Sequence, residues 1–126
     1  MRIAVDVMGG DFGCDVVLGG IKLALQHNNR IQALYLVGQR DGIERAQEQA
    51  EFHDPRLQIV HASEVLTMED RPVAAVRRKK DCSIARAVDL VKTGKADAMI
   101  SPGNTGGIVA ASTLELGTIP GVERPG

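Results

Sequence analysis

Aromatic side chains are nearly absent from this chain, which has two phenylalanines, one tyrosine and no tryptophan in 126 residues. A stacking platform for single-stranded nucleic acid needs exposed rings, so the composition argues against that function. The same shortage requires an aliphatic core of Val, Ile, Leu and Ala. Net charge is only −1, so no overall field draws the chain to nucleic acid or membrane. The two cysteines, Cys14 and Cys82, are far apart and lack metal-ligand spacing. They predict reduced thiols and no metal site, with a catalytic cysteine as the lesser alternative; no cofactor is expected. No run approaches the roughly 20 apolar residues of a membrane span. The N-terminus also lacks a signal-peptide pattern, because the strand after Arg2 is interrupted by Asp6.

What is present is a chain 44% apolar, long enough for one domain with a real core. Strand patterns at 2–7, 32–37, 57–61 and 97–100 alternate with helical ones. Helices are predicted at 16–27, 42–52, 73–78, 83–92 and 104–116. Asp15 and Asp41 are the expected N-caps of the first two. Val17, Ile21, Ala24 and Leu25 form the expected apolar stripe of the first helix. Pro72 should start the third, and Gly94 should stop the fourth. Alternating strands and helices predict an α/β fold, a largely parallel sheet sandwiched by helices. Ligands of such sheets bind beyond the carboxyl ends of the strands. Residues 8–11, 61–64 and 101–104 all follow strand ends, so they are expected to share one crevice.

Two of these ends are rich in glycine. Asp97-Ala98-Met99-Ile100-Ser101-Pro102-Gly103-Asn104-Thr105-Gly106-Gly107 runs from a strand through a turn into a helix. That arrangement presents backbone N–H groups to an anion. Ser101, Asn104 and Thr105 add side-chain donors. An ordinary strand-to-helix connection, capped by Asn104 or Thr105, accounts for the same residues. The N-terminal strand enters a similar turn at Met8-Gly9-Gly10-Asp11. Between them lies a basic cluster, with Arg71, Arg77, Arg78, Lys79, Lys80 and Arg86 within sixteen positions. It suits a small anion or an acidic partner protein, and equally a solvated helix face.

Together, MGGD at 8–11, RRKKDCS at 77–83, ISPGNTGG at 100–107 and GVERP at 121–125 resemble the phosphate acyltransferases of bacterial phospholipid synthesis, the PlsX family. Departures are Cys14 in place of proline, Cys82 in place of serine, and Pro102 and Gly107 in place of alanine. The family's chains are longer, so the resemblance implies a single α/β domain over 1–126 that forms the N-terminal part of an enzyme. It implies an incomplete architecture of the isocitrate/isopropylmalate-dehydrogenase type. The implied reaction makes an acyl phosphate from inorganic phosphate and an acyl group carried on acyl carrier protein. A cytoplasmic homodimer, with peripheral membrane association of the full-length enzyme and no nucleic-acid partner, is implied as well.

Inorganic phosphate is already a nucleophile at neutral pH, so no Ser-His-Asp relay is required. The site must hold a dianion beside the thioester carbonyl and stabilise the developing oxyanion. On this reading Lys80 and Asn104 are the catalytic candidates. Gly9, Gly10, Asp11, Lys79, Ser83, Ser101, Gly103, Thr105 and Gly106 are the phosphate-binding candidates, and the backbone from 103 to 107 would hold the anion. Asp6 and Asp11 would repel phosphate, so they are expected to orient a lysine or fix a glycine turn. His61 is a lesser acid–base candidate. Two other readings stay open: a phosphotransacetylase-like enzyme acting on coenzyme A thioesters, and an anion-binding module without turnover.

Overall fold

The computed structural model describes residues 1–10, 12–67 and 69–123. Four strands, β1 (Arg2–Asp6), β2 (Ala33–Gly38), β3 (Leu57–His61) and β4 (Ala98–Ile100), form one parallel sheet in the order β3-β2-β1-β4. Five helices connect them: α1 (Gly13–His27), α2 (Arg40–Gln49), α3 (Pro72–Arg78), α4 (Ser83–Lys92) and α5 (Thr105–Leu116). The α/β prediction holds, with a parallel sheet flanked by helices.

Strand alternation sorts the core into layers. Val5, Leu34 and Leu36 face α1 and α2, packing with Leu18, Ile21, Leu25 and Ile43. Ala4 and Val37 face the opposite way, onto Ala87 and Leu90 of α4. Alanines on both sides of that second contact let α4 lie close to the sheet, with Tyr35 packed against its margin. A third cluster joins α3, α4 and α5 through Val76, Ile84, Val88 and Ala111. Here Gly106 makes room for Pro72: a Cβ on it would lie 2.6 Å from the proline Cγ.

Several boundaries differ from expectation. Helix α1 begins at Gly13, with Phe12 as its cap residue. Asp15 sits inside the first turn, where its charge complements the helix dipole. Helix α2 likewise starts after Gln39, with Asp41 in its first turn, and ends at Gln49. In α1, Leu18 is buried and Ala24 exposed, so the inward face is centred on Leu18, Ile21 and Leu25. Pro72 does open α3, and α4 runs from Ser83 to Lys92 as expected. Among the described residues no helix is long and apolar enough to cross a membrane.

Edge strand β4 has only three residues, and its sequence-proximal end is tied to β1 by side chains. Asp97 accepts hydrogen bonds from the Arg2 backbone N–H and guanidinium, both at 2.7 Å. These bonds hold the Asp97 carboxyl down at about 2. Within the sheet, Leu36 is fully buried on a strand paired on both sides. Leu36→Ala should therefore cost about 2–5 kcal/mol in urea unfolding; a loss below about 1 kcal/mol would contradict the assigned core.

Candidate anion-binding site

Strands β1 and β4 are parallel neighbours, so the turns after Asp6 and Ile100 emerge at the same edge. There they touch. A Cβ on Gly9 would lie 2.6 Å from the Gly103 nitrogen and 2.7 Å from its Cα, closer than real side chains approach. Gly10 adopts φ +88°, the left-handed region open to glycine. Met8, Gly9 and Gly10 line one side of a crevice of about 250 Å³, and Gly103 and Asn104 another. Val65, Leu66 and Thr67, from the segment after β3, form the third wall.

The N–H groups of the two glycine turns and of the start of α5 divide into engaged and open ones. Asn104 caps α5: its Oδ1 accepts from the Gly107 N–H at 2.8 Å. The Gly103 N–H donates to Ser101 Oγ at 3.1 Å. Among the described residues, no acceptor meets the N–H groups of Gly9, Gly10, Asn104, Thr105 or Gly106. Gly103 and Gly107, the ends of the expected phosphate-binding backbone, thus have partners of their own. The open donors are the three residues between them, at the positive end of a 12-residue helix.

Asn104 does more than cap. Its Nδ2 donates to the Thr67 carbonyl at 2.9 Å, fastening the third wall to the start of α5. That wall is braced from behind. Asp70 accepts from the Thr67 N–H at 2.9 Å and hydroxyl at 3.2 Å, and from Lys79 Nζ at 2.7 Å. Lys79 also donates to the Val65 carbonyl at 3.0 Å. Its ammonium is therefore engaged behind the wall. Thr67 and Asp70 were not among the sequence candidates. Their spacing, a threonine three residues before an acid, was the available signal for a side-chain-closed turn.

The remaining candidates are dispersed. Ser101 lies beneath the two glycine turns, donating to Asp6 Oδ2 at 2.7 Å. Thr105 and Gly106 are exposed at the start of α5, where they border an apolar groove with Val73. Ser83 is buried at the start of α4, and its hydroxyl has no partner among the described residues. Lys80 is exposed in a different groove, between α3, α4 and α5, beside Arg77, Arg86 and Asp89. Asp11 lies outside the described residues. The expectation of one crevice for all three strand ends needs correction. His61, on edge strand β3, accepts from the Arg40 N–H at 3.2 Å in a separate depression. Only the chain beyond it, at Val65–Thr67, reaches the crevice. Neither thiol is activated: burial pushes Cys14 up to about 11 and raises Cys82 as well. Among the described residues, no three potential ligands cluster as for a metal ion.

The brace carries a pH signature. Hydrogen bonds from Lys79, then from Thr67, lower the Asp70 carboxyl from 3.8 to about 2. A depressed acid contributes stability above its unfolded value, and this is lost as pH falls towards the folded one. Asp70→Asn should therefore lower the melting temperature at about pH 6, with the gap to the unsubstituted chain closing between 3.8 and about 2. A gap that is constant across that range would show that the charge of Asp70 does not support the wall.

Comparison with known proteins identifies the family of the chain. The profile of a family described as "Fatty acid synthesis protein" matches residues 1–126. The chain is 48% identical to a phosphate acyltransferase of Exiguobacterium sp., over 99% of this chain and 37% of that protein. It is 46% identical to one of Akkermansia muciniphila, over 100% of this chain and 36% of the relative. For one of Syntrophomonas wolfei the identity is 45%, over 99% and 39%. The chain thus spans little more than a third of the length of these relatives. With the match running over every residue, the chain belongs to the family described as the fatty acid synthesis proteins.

Proposed function

We propose that this chain is the N-terminal α/β domain of a phosphate acyltransferase, which forms an acyl phosphate from inorganic phosphate and an acyl group on acyl carrier protein. The carrying observation is the meeting of two glycine turns, Gly9 against Gly103, beside open N–H groups at the start of α5. The relatives are phosphate acyltransferases, and that activity supplies the chemistry. An isocitrate/isopropylmalate-dehydrogenase-like architecture of the whole enzyme is part of this proposal, and the parallel order β3-β2-β1-β4 is compatible with it. We assign the enzyme to the cytoplasm, as a homodimer with peripheral membrane association.

In this reading phosphate is held by the N–H groups of Gly9, Gly10, Asn104, Thr105 and Gly106. A phosphate oxygen attacks the thioester carbon, the carbonyl becomes an oxyanion, and collapse expels the carrier thiolate as the C–S bond breaks. Fixed amide dipoles stabilise that charge without reorganising. Asn104 contributes the second hydrogen of Nδ2, the first being held by Thr67. Lys79 acts by bracing the Thr67 wall. Lys80 serves the acyl carrier protein side, in the groove with Arg77 and Arg86.

Asn104→Ser in the complete enzyme separates the roles of this residue. Serine still caps α5, but it lacks the amide hydrogens. Acyl-phosphate formation should fall by about two to three orders of magnitude, with melting lowered by only a few degrees. Normal turnover would remove Asn104 from the chemistry. Turnover with coenzyme A thioesters, and none with acyl carrier protein, would favour the phosphotransacetylase-like reading.

A further inference from the structure

We infer that Asp6 and Ser101 are positioning residues that clamp the two glycine turns together and thereby set the spacing of the anion-binding N–H groups. This inference rests on the proposed phosphate site. Asp6 ends the inner strand β1 and is only 1% exposed. Among the described residues no cation pairs with it. A buried acid without an ion-pair partner is costly unless its oxygens are well bonded, and both of these are. Oδ1 accepts from the Met8 N–H at 3.0 Å, in the first turn. Oδ2 accepts from the Ser101 hydroxyl at 2.7 Å, in the second. Ser101 Oγ accepts in turn from the Gly103 N–H at 3.1 Å.

A continuous hydrogen-bonded path therefore runs from the backbone of one turn to the backbone of the other. Its middle link is charge-assisted and short. The carboxylate lies directly under the contact: a Cβ on Gly9 would be 3.0 Å from Oδ2, and one on Gly103 3.5 Å. Strand β4, three residues long and at the edge, has little ladder of its own to hold the second turn. Its far end is tied by Arg2 and Asp97, and its site end by Asp6 and Ser101. With its hydrogen directed to Asp6, Ser101 positions the Gly103 turn and is not a direct ligand of phosphate.

The test uses the 126-residue chain and inorganic phosphate. In Ser101→Ala, amide exchange at Met8, on the opposite turn, should quicken by about tenfold while Leu36 and Val37 keep their protection. The phosphate Kd should rise by roughly tenfold, and Ser101→Thr, which restores the hydroxyl, should recover both. Should Ser101→Ala fail to fold, Asp6→Asn, which keeps the side-chain shape, is read reciprocally at the Gly103 N–H. Unchanged exchange on the opposite turn overturns the clamp. Faster exchange with an unchanged Kd overturns it too, because the clamp then does not set the site. If the unsubstituted chain binds no phosphate, the functional reading fails, and the exchange result alone decides the clamp.

Discussion

The structure depends on one constraint, the parallel pairing of β1 with β4 carried through to contact between Gly9 and Gly103. Two turns separated by about ninety residues of sequence meet backbone to backbone, at a distance that no side chain on Gly9 could share. Everything at the candidate site follows from that approach. The turns can close only if the strands beneath them are in register, which the pairing of Val5 with Ile100 sets. The start of α5 then points its open N–H groups at the same edge as the first turn.

Charge is distributed so that this edge stays favourable to an anion. Among the described residues, two carboxylates close to it are occupied. Asp6 accepts from a backbone N–H and a hydroxyl beneath the glycines, and Asp70 accepts from Thr67 and Lys79 behind the third wall. The site's donors are amides, whose dipoles are fixed by the fold and need no mobile side chain. The basic cluster of 71–86 is divided by the same logic. Lys79 is drawn into the wall, Arg86 pairs with Asp81, and Arg77 and Lys80 face the groove between α3, α4 and α5. Adjacent residues at the end of a helix point in different directions, so two neighbouring lysines come to serve different surfaces.

Such an arrangement suits a reaction whose nucleophile needs no activation. Cys82 is buried and Cys14 half-buried, both thiols are raised away from the thiolate form, and His61 is engaged on the edge strand β3. What the crevice offers is a place to hold an anion against a carbonyl, which is the demand of the proposed phosphate acyl transfer. The wall of Val65–Thr67 narrows that place, and Asn104 links it to the helix that supplies the donors.

The sequence by itself determined most of the local elements and that the glycine turns lie at one edge of the sheet. Short apolar runs specify β1 and β3, and Pro72 opens α3 because its missing N–H has no partner to lose there. Asn104 was legible as a cap, since an amide three residues before Gly107 closes a helix start locally. Parallel βαβ order alone brings the ends of β1 and β4 to one edge. Tertiary structure decided what no short-range pattern encodes: strand order set His61 two strands away from β1, and brought Val65–Thr67 to the crevice instead. It also decided which donors remain open. Ser101, Gly103, Gly107 and Lys79 each found a partner, some nearby in sequence and others, such as Asp6 for Ser101, ninety-five positions away. A residue type states what bonds a group can make; only the packed chain states which of them are already made.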